Sequence, residues 1–291
     1  MFEGFQQQII DLGEARINLR TSGVGPALLL LHGFPVSHVH WHAIAPLLVS
    51  NFTLIIPDLR GYGDSIGPKP DDSHHNYSKR TMANDMVAVM SKLGFDQFRI
   101  AAHDRGARVA YRLTLDHPER VSHLASIDTI PTLDVWEAFD MEASIDAFHW
   151  PLLAQPAPIP ERLIGADPDF FLNQLLERWV GNAMPLAGSA VAEYTRHFRK
   201  ASVIEAMAED YRAGATVDLL HDQLDRAAQK KIHCPIFVPW GNQYTSSSLL
   251  STWHKWADNV QELSLDCGHF VAEEAPEQCA EALTKFFMES R

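Results

Sequence analysis

The sequence predicts an α/β fold: a mostly parallel eight-stranded sheet interrupted by an inserted helical cap. Three observations carry this. Short apolar, strand-like runs alternate with helical spacing up to Asp128. The rhythm stops from Thr129 to about Lys231, where helical patterns and a proline-rich bend replace it. It then resumes to the C-terminus. Parallel neighbours need a long crossover, which the intervening helices supply. The implied organisation is 1–128 as the first part of the core, 129–231 as the cap and 232–291 as the second part of the core.

Two extended segments, Gln7–Leu12 and Ala15–Thr21, flank Gly13 and read as a hairpin. Ala27–Leu31 is a buried strand that runs into His32-Gly33-Phe34-Pro35. Trp41–Val49 has helical spacing, and Thr53–Pro57 is a strand leading to the turn Asp58–Ser65. Thr81–Leu93 is a helix with Met82, Met86, Val89 and Leu93 on one face. Phe98–Ala102 is a strand, Gly106–Leu115 a helix and Val121–Ile127 a strand. Beyond the bend formed by Pro151, Pro156, Pro158 and Pro160, Pro235–Pro239 and Val260–Leu265 are the last strands. Ser248–Trp256 and Pro276–Met288 are the last helices.

The chain has 291 residues, 46% of them hydrophobic and 21% charged, which supports a large core. A net charge of -13 argues against a nucleic-acid partner, since phosphates need a basic face. It leaves an anionic small molecule open, because a basic pocket can sit inside an acidic protein. Three cysteines without metal-ligand spacing suit a reducing compartment. There is no signal-peptide pattern, and no apolar run approaches the roughly 20 residues of a membrane helix. A cytoplasmic protein away from membranes is the expectation.

Ala102-His103-Asp104-Arg105-Gly106 lies between a strand and a helix, with small residues two positions either side of Asp104. That spacing matches a nucleophile elbow, whose tight turn admits only small neighbours. The elbow usually presents serine. Asp104 can instead attack a saturated carbon, and water can then open the resulting ester. Asp104 could alternatively cap the helix that follows. The partners favour the catalytic reading. His269, in Cys267-Gly268-His269-Phe270, follows the last strand, where this architecture carries its base. The base needs a carboxylate to orient it. Trp240-Gly241-Asn242-Gln243-Tyr244 offers none, so the acid is expected to be Asp128 at the end of the preceding strand. The backbone N–H groups of Phe34 and Arg105 are the expected oxyanion donors.

Arg105 and Arg108 lie on one face of the first turn of the helix after Asp104. Two cations at the positive end of a helix are unfavourable unless an anion sits between them. A substrate carboxylate held by two guanidinium forks would supply it. Arg108 could instead point outward to a surface acid.

With these motifs, His32–Pro35, Asp58–Ser65, His103-Asp104-Arg105-Gly106-Ala107-Arg108 and Asp128, the chain resembles the fluoroacetate (haloacetate) dehalogenases, which have an α/β-hydrolase core. The resemblance spans nearly the whole chain. It implies that His149, Trp150 and Tyr211 in the cap hold the departing halide, that no cofactor is needed and that the protein is a homodimer. Indole, imidazole and phenol donors would solvate a leaving halide. Trp179 is a further candidate for the pocket wall.

The resulting expectation is hydrolysis of a small 2-haloacid through an ester on Asp104. One rival is an epoxide hydrolase, which shares the aspartate nucleophile and would use two cap tyrosines; Tyr194 and Tyr211 supply that number. A neutral epoxide has no use for the arginine pair. Another rival is a non-catalytic binding protein, which would be expected to lack a working nucleophile, base or acid. Ser65 lacks the strand-turn-helix context of a nucleophile. His38, His40 and His42 alternate as metal ligands do, but their place at a helix start reads as loop and surface. Asp58 and Arg60 are expected to brace their loop.

Overall fold

A computed structural model describes residues 1–182 and 184–288. The strands are β1 (Gln6–Asp11), β2 (Arg16–Ser22), β3 (Ala27–Leu31), β4 (Thr53–Pro57), β5 (Phe98–His103), β6 (Val121–Ile127), β7 (Ile236–Gly241) and β8 (Val260–Leu265). They form one eight-stranded sheet in the order β1-β2-β4-β3-β5-β6-β7-β8. The β1–β2 and β2–β4 pairs are antiparallel and all others are parallel.

Side-chain alternation explains why β3 is leucine from Leu28 to Leu31. Leu29 and Leu31 face one buried cluster while Leu28 and Leu30 face the other, so both faces of the central sheet are covered. The next strand, β5, divides similarly, with Ile100 and Ala102 on one side and Ala101 on the other.

Between β6 and β7 the described residues are helical, from Thr132–Glu137 to Val217–Ala227. These helices form a roof above the C-terminal strand ends, as shown by a cavity that Asp104, Asp128 and His269 share with Val135, His149, Trp150 and Trp179. Among the described residues, no helix is long and apolar enough to cross a membrane.

Two predicted helices are shorter than their spacing suggests. Trp41–Val49 divides into a 3-10 turn, His38–Trp41, and a short helix, Ala45–Leu48. Pro46 is tolerated in that first helical turn but could not bond back into a preceding one. Ser248–Trp256 contracts to Leu250–Trp253. The expectation that His38 and His40 lie at the surface is wrong. Both are buried: His38 Nδ1 meets Asp58 at 2.9 Å, and His40 Nδ1 meets Glu273 at 3.0 Å. Carboxylate partners on distant segments, invisible to local spacing, make their burial tolerable.

Asp58 and Arg60 brace their turn as expected. Asp58 accepts from Asn18 Nδ2 and from the backbone of His38 and Asp64. Arg60 grips Asp85 through Nε and Nη2.

Candidate active site

β5 ends where helix Asp104–Asp116 begins, and Asp104 takes a left-handed φ of 47° at the junction. Aspartate tolerates that region better than most residues, although it still stores strain. Packing holds it there. A Cβ on Gly33 would lie 2.5 Å from Asp104 Cβ, and one on Gly106 would overlap the backbone carbonyls of Leu31 and His32. Asp104 Oδ1 accepts the Phe34 N–H at 2.8 Å, which fixes one carboxylate oxygen and leaves the other to act. Arg105 sits in the first helical turn, where N–H groups have no intrahelical acceptor.

His269 Nδ1 is 2.6 Å from Asp128 Oδ2. Asp128 also has a left-handed backbone, φ 50°, just beyond β6, and this turns its carboxylate into the crevice. The other oxygen, Oδ1, accepts from Thr245 Oγ1 at 2.8 Å. Burial pulls the His269 pKa down. The hydrogen bond and charge of Asp128, with Asp104 and Glu274 added, outweigh burial and raise it above the ordinary histidine value. Burial pushes Asp104 up, but His269, His103 and the two arginines outweigh it and hold the carboxyl below its usual range. Asp104 is therefore held ionised beside an imidazole of raised basicity.

The two arginines differ from the expected symmetric clamp. Arg105 is fully buried and locked to Asp210, with Nη2 at 2.7 Å from Oδ1 and Nε at 3.1 Å from Oδ2. Asp210 also accepts from Tyr62 Oη and Lys79 Nζ, and Lys79 meets Asp218. Two cations here balance two carboxylates. Asp210 thus supplies the anion that Arg105 was expected to take from a substrate; of the two, only Arg108 still lacks one among the described residues. Of the Arg105 nitrogens, Nη1 alone is buried without a partner. Arg108 has no ion pair among the described residues; Nη1 donates to the Ile130 carbonyl at 2.7 Å, while Nε is buried and unpartnered. Arg108 lines the cavity and Arg105 does not.

His149, Trp150 and Tyr211 converge on one another. The His149 and Trp150 rings lie 5.7 and 5.5 Å from the Tyr211 ring, and Arg105 Cζ lies 4.0 Å from that ring's centroid. Tyr211 Oη and His149 Nδ1 are buried with no partner. Burial, then the nearby arginines, keeps His149 neutral; burial and Asp104 keep Tyr211 a protonated phenol. Both can donate, and buried donors left unpaired are costly unless a guest meets them. The cavity holds about 350 Å³.

A family profile described as the alpha/beta hydrolase fold matches residues 26–276. The chain is 40% identical to a fluoroacetate dehalogenase from a Burkholderia species, covering 100% of this chain and 96% of that one. It belongs to the haloacetate dehalogenase family of α/β hydrolases. This hydrolase is also 32% identical to a soluble epoxide hydrolase of Corynebacterium sp. (strain C12), over 94% of this chain and 93% of that one. A crystal structure of a putative alpha/beta hydrolase from Nostoc sp PCC 7120 superposes with a TM-score of 0.96 at 50% identity, covering 100% of both chains.

Residues of this family member that the motifs did not reveal line the same cavity. Tyr244 lies with its ring 4.4 Å from that of His269, and Thr245, Ser246 and Ser247 continue the wall. The signal was the acid-free stretch after β7: a loop that does not supply the acid is free to support one, as Thr245 does for Asp128. Trp179 lines the cavity, 4.8 Å from His149. Tyr211 stands behind His149 and Trp150 and does not itself line it, and neither does Tyr194. The Tyr194 hydroxyl donates to Glu273 Oε1 at 2.7 Å, behind the site.

Proposed function

We propose that this hydrolase cleaves the carbon–halogen bond of a small 2-haloacid, such as a haloacetate, to give the 2-hydroxyacid and halide. The observation that carries the reading is the set of buried, unpartnered donors around Asp104: Arg108 Nε, Arg105 Nη1, His149 Nδ1 and Tyr211 Oη. Such a set suits a guest that is anionic at one end and sheds an anion at the other.

In this reading the substrate carboxylate sits against Arg108, while Arg105, locked to Asp210 behind the cavity wall, adds its positive charge from outside the cavity. One Asp104 oxygen displaces the halide from the α-carbon, forming a C–O bond as the carbon–halogen bond breaks. His149, Trp150 and Tyr211 receive the halide. His269 then takes a proton from a water that attacks the Asp104 carbonyl carbon. The Phe34 N–H stabilises the developing oxyanion, with the Arg105 N–H as the expected second donor. The bond from the Asp104 carbonyl carbon to the glycolyl oxygen then breaks as His269 returns its proton to that oxygen, which frees the hydroxyacid. Loss of the remaining water proton to solvent restores the carboxylate.

The chain matches relatives named for fluoroacetate and for epoxide chemistry, so a direct comparison of substrates is needed. Tyr194 speaks against the epoxide reading, since its hydroxyl is committed to Glu273. The test is halide release from fluoro-, chloro- and bromoacetate beside diol formation from styrene oxide. Halide release without diol is expected; diol without halide would replace this proposal. The resemblance adds a homodimer and the sparse cysteines a cytoplasmic setting as proposals, which sedimentation and cell fractionation would check.

A further inference from the structure

The loop that carries His269 is joined to the inserted helices at one buried carboxylate. Glu274 Oε2 accepts the Gly181 N–H at 2.7 Å and the Gly268 N–H at 2.9 Å; Oε1 accepts the Phe270 N–H at 2.9 Å. Gly268 and Phe270 flank His269 on both sides. Gly181 lies two residues beyond Trp179, the tryptophan of the cavity wall. A fourth bond runs from the His269 N–H to the Trp179 carbonyl at 2.8 Å. Three consecutive peptide N–H groups around the base are thus bound either to the 179–182 segment or to the carboxylate that also binds it.

Close backbone packing reinforces the junction. A Cβ on Gly181 would lie 2.5 Å from the Gly268 nitrogen, and one on Gly241 would overlap the Gly268 carbonyl. Gln243 adds a second tie, accepting from the Asn182 N–H at 2.6 Å and donating to Asp266 at 2.8 Å. If Glu274 served only the short helix Val271–Glu274, it would need the N–H of Phe270 and nothing from a segment 93 residues away.

We infer that Glu274 is a positioning residue that fixes the 179–182 segment to the His269 loop, so that the base and the Trp179 wall of the cavity keep one register. The inference rests on His269 being the base of the ester-opening step, and it holds whichever electrophile forms the ester. Glu274 also has an electrostatic handle on the base, since its charge contributes to raising the His269 pKa.

Glu274→Gln keeps the shape but offers one acceptor oxygen, so at least one of the three N–H groups must face an amide NH2. Hydrogen–deuterium exchange should quicken in both 179–182 and 267–270 by about tenfold or more, with the β1–β6 peptides unchanged. With chloroacetate, steady-state kcat should fall about tenfold or more while the first-turnover burst of halide persists and ester accumulates on Asp104. Loosening of one segment without the other, uniform loosening of the whole sheet, or a kcat within about twofold of wild type would overturn the inference. A wild-type enzyme that released no halide would count against the haloacid reading, and the exchange measurement would still decide the role of Glu274.

Discussion

Arg108→Met removes the cation that no carboxylate in the described protein pairs with. The methionine keeps an unbranched apolar stem but loses the guanidinium over Trp150, whose ring lies 4.6 Å from Arg108 Cζ. What disappears is a charged donor set anchored by Ile130 at 2.7 Å, with Nε free for a guest. A hydrogen bond to a charged group contributes about 1.5–3 kcal/mol, so losing one or two from a bound carboxylate should lower kcat/KM for chloroacetate by roughly 10- to 10⁴-fold. Chloroacetamide, a neutral near-isostere, controls for packing and for the nucleophile. Its kcat/KM should change less than about fivefold, because it never used the charge. The assay is steady-state chloride release on both substrates, with circular dichroism to establish folding. Equal losses on the two substrates would refute the assignment of Arg108 to a carboxylate.

Other perturbations separate the remaining parts. Asp210→Asn should destabilise the fold by about 3–5 kcal/mol, because it leaves Arg105 and Lys79 buried with only Asp218 opposite; calorimetry should show Tm falling by about 5–15 °C. Tyr211→Phe should slow fluoroacetate more than bromoacetate, since fluoride depends most on donors as it leaves; halide release on both substrates checks the ratio. The pH dependence has a definite sign. His269 must be neutral to act, and its pKa is raised, so ester hydrolysis should increase with pH through a midpoint above the ordinary histidine value of 6.5. Thr245→Val, which removes a hydrogen bond from Asp128, should leave that midpoint above 6.5 and lower the plateau about fivefold, read from a pH–rate profile.

The sheet was legible because β3 and its neighbours are buried on both faces, which makes them continuous apolar runs. Asp104 and His269 could be read from the turns that present them, and Asp128 from its place at a strand end. Their places depend on local geometry. Arg105 shows where such reading fails. The sequence puts two cations on one helical turn, yet the carboxylate that neutralises the first lies beside Tyr211, far away in the chain. The same long reach buried His40 against Glu273 and removed Tyr194 from the cavity. Thr245 was missed because a hydroxyl that supports an acid has no motif. Hydrogen-bond partners between distant segments were therefore what the sequence could not supply.

The most direct test of the account replaces the base. In His269→Asn, alkylation of Asp104 should proceed and its hydrolysis should stall. Exposure to chloroacetate followed by peptide mass spectrometry should find the peptide containing Asp104 heavier by one carboxymethyl unit, with about one chloride released per active site. An unmodified Asp104 in a folded variant would contradict the covalent route, as would undiminished multiple turnover.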